Sequence, residues 1–145
     1  MTEISFHFNV ADKLLYTCRL LRKAHATGAK VVVTAESETL AGLDQLLWSF
    51  SPTEFVPHCR GAADGSVLAG LSVLLVDSPE ACPHQGVLVN LGATVPAGFE
   101  RFEKFVEIVT RSDIERVAAR SRWKHYADRG YSLQRHDLAT SGARA

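Results

Sequence analysis

The sequence has 145 residues, 46% hydrophobic and 22% charged, the balance of an ordinary globular protein and long enough to bury a substantial core. Lys plus Arg and Asp plus Glu both number 16, so no whole-molecule field can hold a polyanion, and any acidic partner must be met by a local patch. Cys18, Cys59 and Cys82, odd in number and without CxxC spacing, read as free thiols of a reducing cytoplasm; no signal peptide is recognisable, and no apolar run approaches the ~18 residues of a membrane span.

Ile4, Phe6 and Phe8 alternate with Ser5, His7 and Asn9, a period of two that predicts a strand from Glu3 to Asn9. Leu14, Cys18 and Leu21 mark the buried face of a helix from Asp12 to Ala26, and Gly28 suits its stop. The β-branched run Lys30 to Thr34 fits a strand covered on both faces. Leu40, Leu43, Leu47 and Phe50 line one side of a second helix, Glu36 to Phe50, which Ser51-Pro52 ends. This β-α-β-α order implies a mostly parallel central sheet with right-handed crossovers and helices on its faces.

Beyond a Gly- and Ala-rich loop (Gly61 to Gly70), strands are expected at Ser72 to Asp77 and Val87 to Leu91, separated by the turn Cys82 to Gly86. Phe99, Phe102, Phe105, Val106 and Val109 are spaced as the apolar side of a third helix. A fourth helix runs from Asp113 to about Arg129, capped by Ser112 and stopped by Gly130. The chain from His136 onward is small and polar and is expected to fray. With no internal repeat and no linker, the expectation is one α/β domain over 1–138 and a flexible tail over 139–145.

The helix from Asp113 is the most informative segment. Arg116, Arg120, Trp123 and Lys124 fall at i, i+4, i+7 and i+8, which places them on one face. Ile114, Val117, Ala118 and Ser121 occupy another sector, which is expected to pack on the sheet. Between Arg111 and Arg135 the cations are Arg111, Arg116, Arg120, Arg122, Lys124, Arg129 and Arg135, against Asp113, Glu115 and Asp128: seven to three in a neutral protein. Arginine forks carboxylates bidentately, and an aromatic wall receives an apolar side chain, so an acidic peptide with an apolar end suits this face. Two other readings stand beside it: a solvated basic face carrying one amphipathic Trp, and a surface where Trp123, Tyr126 and Tyr131 stack bases. Overall neutrality counts against strong direct binding of nucleic acid.

Leu47-Trp48 followed by Phe55-Val56-Pro57-His58 resembles the hallmark segment of the bacterial DNA polymerase III chi subunit family. Ala119-Arg120-Ser121-Arg122-Trp123-Lys124-His125-Tyr126, then Gly130-Tyr131-Ser132-Leu133, is similar to that family's C-terminal signature. The order of elements agrees to about Leu138. The resemblance implies a three-layer Rossmann-like α/β domain with no nucleotide site, cofactor or catalytic role. It implies a cytoplasmic subunit of the clamp-loader complex that grips the acidic C-terminal tail of single-stranded DNA-binding protein and meets DNA only indirectly. Carried over by position, the tail site comprises Trp48, Arg116, Arg120, Trp123 and Lys124, with Arg116 and Trp123 standing where some relatives have Lys and Tyr. The loop near Arg111-Ser112-Asp113 is shorter than in some relatives. Phe55, Val56 and Pro57 are the implied contact with the psi subunit; Phe55 also suits a core position.

A nucleotide-dependent enzyme of the same fold class is the alternative. The turn after the first strand, Asn9-Val10-Ala11-Asp12, contains no glycine, so neither GxGxxG nor a Walker loop stands where that fold would place it. Ala35-Glu36-Ser37 after the second strand lacks glycine as well. His58-Cys59 and Cys82-Pro83-His84 do not have zinc-finger spacing, and no GxSxG is present, so neither a metal nor a nucleophile is expected.

Overall fold

The computed structural model describes residues 2–49, 58–60, 73–76 and 86–138. They form β1 (Glu3–Val10), α1 (Lys13–Ala26), β2 (Val31–Thr34), α2 (Ser37–Ser49), β3 (His58–Arg60), β4 (Val73–Val76), β5 (Val87–Asn90), β6 (Lys104–Thr110), α3 (Asp113–Asp128) and β7 (Leu133–Asp137). Every strand pair is parallel, and the order across the sheet is β3-β4-β2-β5-β6-β1-β7. The parallel sheet is what the β-α-β-α order implies, and its three-layer, Rossmann-like arrangement is what the resemblance implies. The loop expected over Gly61 to Gly70 and the turn expected at Cys82 to Gly86 lie outside the described residues, save Gly86.

Alternation within the strands divides the core between two layers. Val31, Val33, Val73, Leu75, Val89 and Ile108 pack with Cys18, Leu21, Leu40, Leu43 and Leu47 of α1 and α2. Val32, Leu74, Leu88, Phe105 and Val109 face the other way, with Ile4 and Phe6, toward Ala119 and Tyr126 of α3. The parity of β1 changes partway. Asn9 takes a left-handed backbone (φ 62°), the pairing register to β6 shifts between His7 and Val10, and Val10 turns to the α1/α2 side. Asn tolerates that conformation better than most residues, and its Nδ2 donates to Asp137 Oδ1 at 2.8 Å. At the other end of α1, Gly28 (φ 80°) closes the helix by donating to the His25 carbonyl at 3.0 Å.

The expected third helix does not form. Phe99–Arg101 make only a single 3-10 turn, and Lys104–Thr110 are strand β6. Phe105, Glu107, Ile108 and Val109 are buried in it on both sheet faces. A doubly covered strand reads as a continuous apolar run, so its periodicity cannot be told from that of a buried helix. The fraying expected from His136 does not occur either: His136 and Asp137 pair with His7 and Phe8, and Leu138 is buried. Residues 139–145 lie outside the described residues.

The seating of α3 also differs from expectation. Ile114 and Val117 are 83% and 60% exposed, and Ser121 is exposed too. Ala119, Arg122 and Tyr126, at i, i+3 and i+7, face the sheet instead. The cause is Glu107, wholly buried at the centre of β6. It accepts hydrogen bonds from Arg122 Nε at 2.9 Å, the Tyr126 hydroxyl at 2.6 Å and Asn90 Nδ2 at 2.9 Å. Arg122 also donates to the Ala93 carbonyl at 2.9 Å. Burial pushes the Glu107 carboxyl up, and Arg122, Tyr126 and Asn90 pull against it; burial and then the adjacent carboxylate push the Tyr126 phenol up, which keeps it a donor. Ser112 stands at the N-cap of α3 as expected, but its side chain makes no capping bond. Glu115 accepts from the Thr110 N–H at 3.3 Å and pairs with Lys13 at 2.9 Å, tying the start of α3 to the start of α1.

Two stability results follow. Arg122→Ala leaves the Glu107 carboxylate buried without its cation, which costs on the order of 3–5 kcal/mol. Arg120→Ala, two residues away on the solvent side, should stay within about 0.5 kcal/mol of the parent. Urea denaturation of both variants measures the contrast, and equal losses would contradict the network's role. The second concerns pH. His7 is held down at about 4, chiefly by burial and then by the charge of His136. The unfolded ring titrates near 6.5. Between those values the unfolded chain binds more protons, so the stability from a neutral His7 is whole above pH 6.5 and drains away as pH falls toward 4. His7→Gln should flatten the fall in denaturation midpoint between pH 6.5 and 5; an unchanged slope would refute this account.

Candidate functional site

The locking of Arg122 and Tyr126 onto Glu107 fixes the rotation of α3 about its axis. Arg116, Ala119, Arg120 and Trp123 therefore lie along one flank of the helix, against the edge of the sheet where β1 and β7 pair. A cleft of about 160 Å³ opens there, lined by Phe6, Phe8, Val109, Arg116, Ala119, Arg120, Trp123 and Arg135. That volume is close to the ~150 Å³ that accommodates a benzene ring, so it suits one apolar side chain.

The floor is apolar because β1 keeps its period of two: Phe6 and Phe8 both point to the α3 side. Trp123 meets the Phe6 ring edge-on, with centroids 5.1 Å apart, and is half-buried. Such pairs contribute about 0.5–1.5 kcal/mol beyond area burial. Thus Trp123 is neither sunk in the interior nor a free platform; it is a fixed wall. Three guanidinium groups surround this floor, and among the described residues no carboxylate lines it. Arg116 makes only a long, exposed contact with Asp113 at 4.0 Å, of the kind that contributes little. Arg135 lies over the Phe8 ring, 5.1 Å from its centroid. Among the described residues, neither Arg120 nor Arg135 has an ion-pair partner in the structure.

A family model described as "DNA polymerase III chi subunit, HolC" matches residues 1–134. The chain belongs to the DNA polymerase III chi family. It is 31% identical over 143 residues to the DNA polymerase III subunit chi of Pseudomonas aeruginosa, a match that spans 95% of this chain and 98% of that one. A match to the subunit of the same name from Haemophilus influenzae is 25% identical over 122 residues, covering 83% and 84%.

On this chi-family fold, the residues singled out by sequence are distributed unevenly. Arg116, Arg120 and Trp123 meet in the cleft. Lys124 is exposed on the outer side of α3 and does not line it. Trp48, 63% exposed, sits in the last turn of α2, in the layer on the opposite face of the sheet, and does not line it either. Phe55, Val56 and Pro57 lie outside the described residues, immediately before β3. So do Cys82, Pro83 and His84; no cluster of three metal-ligating side chains exists among the described residues, nor is any described helix long and apolar enough to cross a membrane.

Sequence reasoning missed Phe6, Phe8 and Arg135. The first two were legible as the inward positions of a strand, but nothing in the sequence says that β1 neighbours β7 rather than β2. Arg135 is counted by sequence among the cations of this basic segment but is not placed at the site, because no strand is expected there. The alternation of Leu133, Arg135 and Asp137 with Gln134 and His136 carries almost no apolar signal.

Proposed function

We propose that this chi-family chain is a non-catalytic accessory subunit of DNA polymerase III. Its cleft takes the acidic C-terminal tail of single-stranded DNA-binding protein and so links the clamp-loader complex to coated single strands. One observation carries the reading: Arg116 and Arg120 rise beside an aromatic floor of one-side-chain size that no carboxylate among the described residues lines. An acidic tail ending in an apolar residue matches that surface in charge, in shape and in the order of its parts. The apolar end fills the floor against Trp123, Phe6 and Phe8. The carboxylates meet the guanidinium forks, and each charge-assisted hydrogen bond contributes about 1.5–3 kcal/mol. Lys124, exposed one position beyond Trp123, adds to the field that draws the tail in. Trp48 stands apart from this cleft, and its role in tail binding rests on family likeness alone. The same holds for Phe55, Val56 and Pro57 as the contact with a psi subunit.

Direct binding of bare single strands is less well supported. A stacking platform needs an open ring face, whereas Trp123 is packed on Phe6 and half-buried. An overall formal charge of zero also supplies no general attraction for phosphate.

The test is a titration with a synthetic peptide of several acidic residues ending in an apolar residue with a free carboxylate. Binding should weaken as salt rises. Arg120→Ala and Trp123→Ala should each weaken it at least about tenfold, a loss of about 1.4 kcal/mol, in variants whose melting shows an intact fold. Unaltered affinity in both variants would place the tail elsewhere on the molecule.

A further inference from the structure

From the same cleft, and resting on the reading just given, we infer that Arg135 is a second, opposing anion-binding wall and that occupancy of the cleft is coupled to the docking of β7. Arg116 and Arg120 belong to one wall, helix α3. Arg135 comes from β7, across the floor formed by Phe6 and Phe8. Its strand places it: Arg135 is in register with Phe6 on β1, so its side chain points to the α3 side of the sheet, as Phe6 does. Its guanidinium then lies over the Phe8 ring. Stacking on an aromatic face holds the planar fork while leaving its edge free to donate.

A cation held over an apolar floor, across from two more, does what a single basic helix face cannot. An extended peptide projects successive side chains to opposite sides. Lying between the two walls, it presents neighbouring carboxylates alternately to α3 and to β7. Arg135 thereby makes the cleft selective for acidic residues that are adjacent in the peptide over acidic residues spaced by two, which can reach only one wall.

The coupling follows from how β7 is held. Among the described residues it is an edge strand whose one strand neighbour is β1, and three of its five residues are exposed. It is tied down by pairing from Leu133 to Asp137 and by the Asn9–Asp137 hydrogen bond. A ligand that bridges Arg135 to Arg116 or Arg120 adds a link between β7 and α3 that the free protein lacks. By linkage, it must then favour the docked strand.

The experiment uses the full chain and two synthetic peptides of equal charge ending in the same apolar residue, one with adjacent acidic residues and one with the same residues spaced by two. For the parent, the adjacent peptide should bind about five- to tenfold more tightly, and it should slow amide hydrogen exchange in residues 133–137. Arg135→Ala should erase both the preference and the protection and lower the salt dependence. Arg135→Lys, which keeps the charge and removes the fork, should fall between, and it stands in for the alanine variant if that one does not fold. If Arg120→Ala weakens binding while Arg135→Ala leaves affinity, preference and exchange as in the parent, the second wall is wrong and the peptide cleft stands. If neither peptide binds the parent, the underlying reading fails first.

Discussion

The carboxylate of Glu107 governs how the rest of this chain is arranged. It is an ionisable group at the centre of a parallel sheet, wholly out of water, and such a group is tolerated only when its lone pairs are answered. Asn90 answers from the neighbouring strand, and Arg122 and Tyr126 from one helix above it. An apolar pair in the same place could slide or rotate with small loss. A fork and a hydroxyl four residues apart on α3, converging on one oxygen, cannot. The buried ion pair is thus best understood as a device for register: it sets which flank of α3 faces β1 and β7, and so which arginines meet at the cleft.

That same device explains where the sequence misleads. Basic residues on an amphipathic helix are normally solvated, so the stripe Ile114, Val117, Ala118 and Ser121 is the natural candidate for the buried side. Glu107 reverses that choice, and its own position gives little warning, because one carboxylate inside Phe105-Val106-Glu107-Ile108-Val109 reads equally as the polar position of an amphipathic helix. The error over β6 has the same root: strands covered on both faces lose the alternation that distinguishes them. By contrast, β1, α1 and α2 were legible almost to the residue, since each obeys a clean period, and β2 was legible because its short β-branched run is too short for a helix. The cleft was half legible. Helical spacing brings Arg116, Arg120 and Trp123 together on any straight helix, but the floor and the far wall depend on β1 being flanked by β6 and β7, a non-local fact that no local pattern encodes.

A neutral chain acquires a cationic cleft by sorting its charges rather than by accumulating them. Of the seven basic residues between Arg111 and Arg135, Arg122 is withdrawn inside to hold Glu107, and the acidic Glu115 is engaged by Lys13 at the far side of α3. Arg116, Arg120 and Arg135 remain around an apolar floor that no carboxylate among the described residues lines. The net charge of the whole chain is blind to this separation. A family that operates beside DNA gains from it, because a globally basic subunit would be drawn to the phosphate backbone, whereas a local patch on a neutral body discriminates by shape as well as by sign.

The pairing of β7 with β1 carries a consequence for biogenesis. The two strands are separated by nearly the whole chain; the Asn9–Asp137 hydrogen bond alone spans 128 residues. Contacts of such sequence separation form late and slowly. A nascent polypeptide can assemble α1, α2 and the middle strands while synthesis continues, yet its recognition surface is incomplete until the final strand has emerged and found the first. On the proposed reading, the groove doubles as a maturity check: a partner that requires both of its sides engages only finished, correctly threaded molecules.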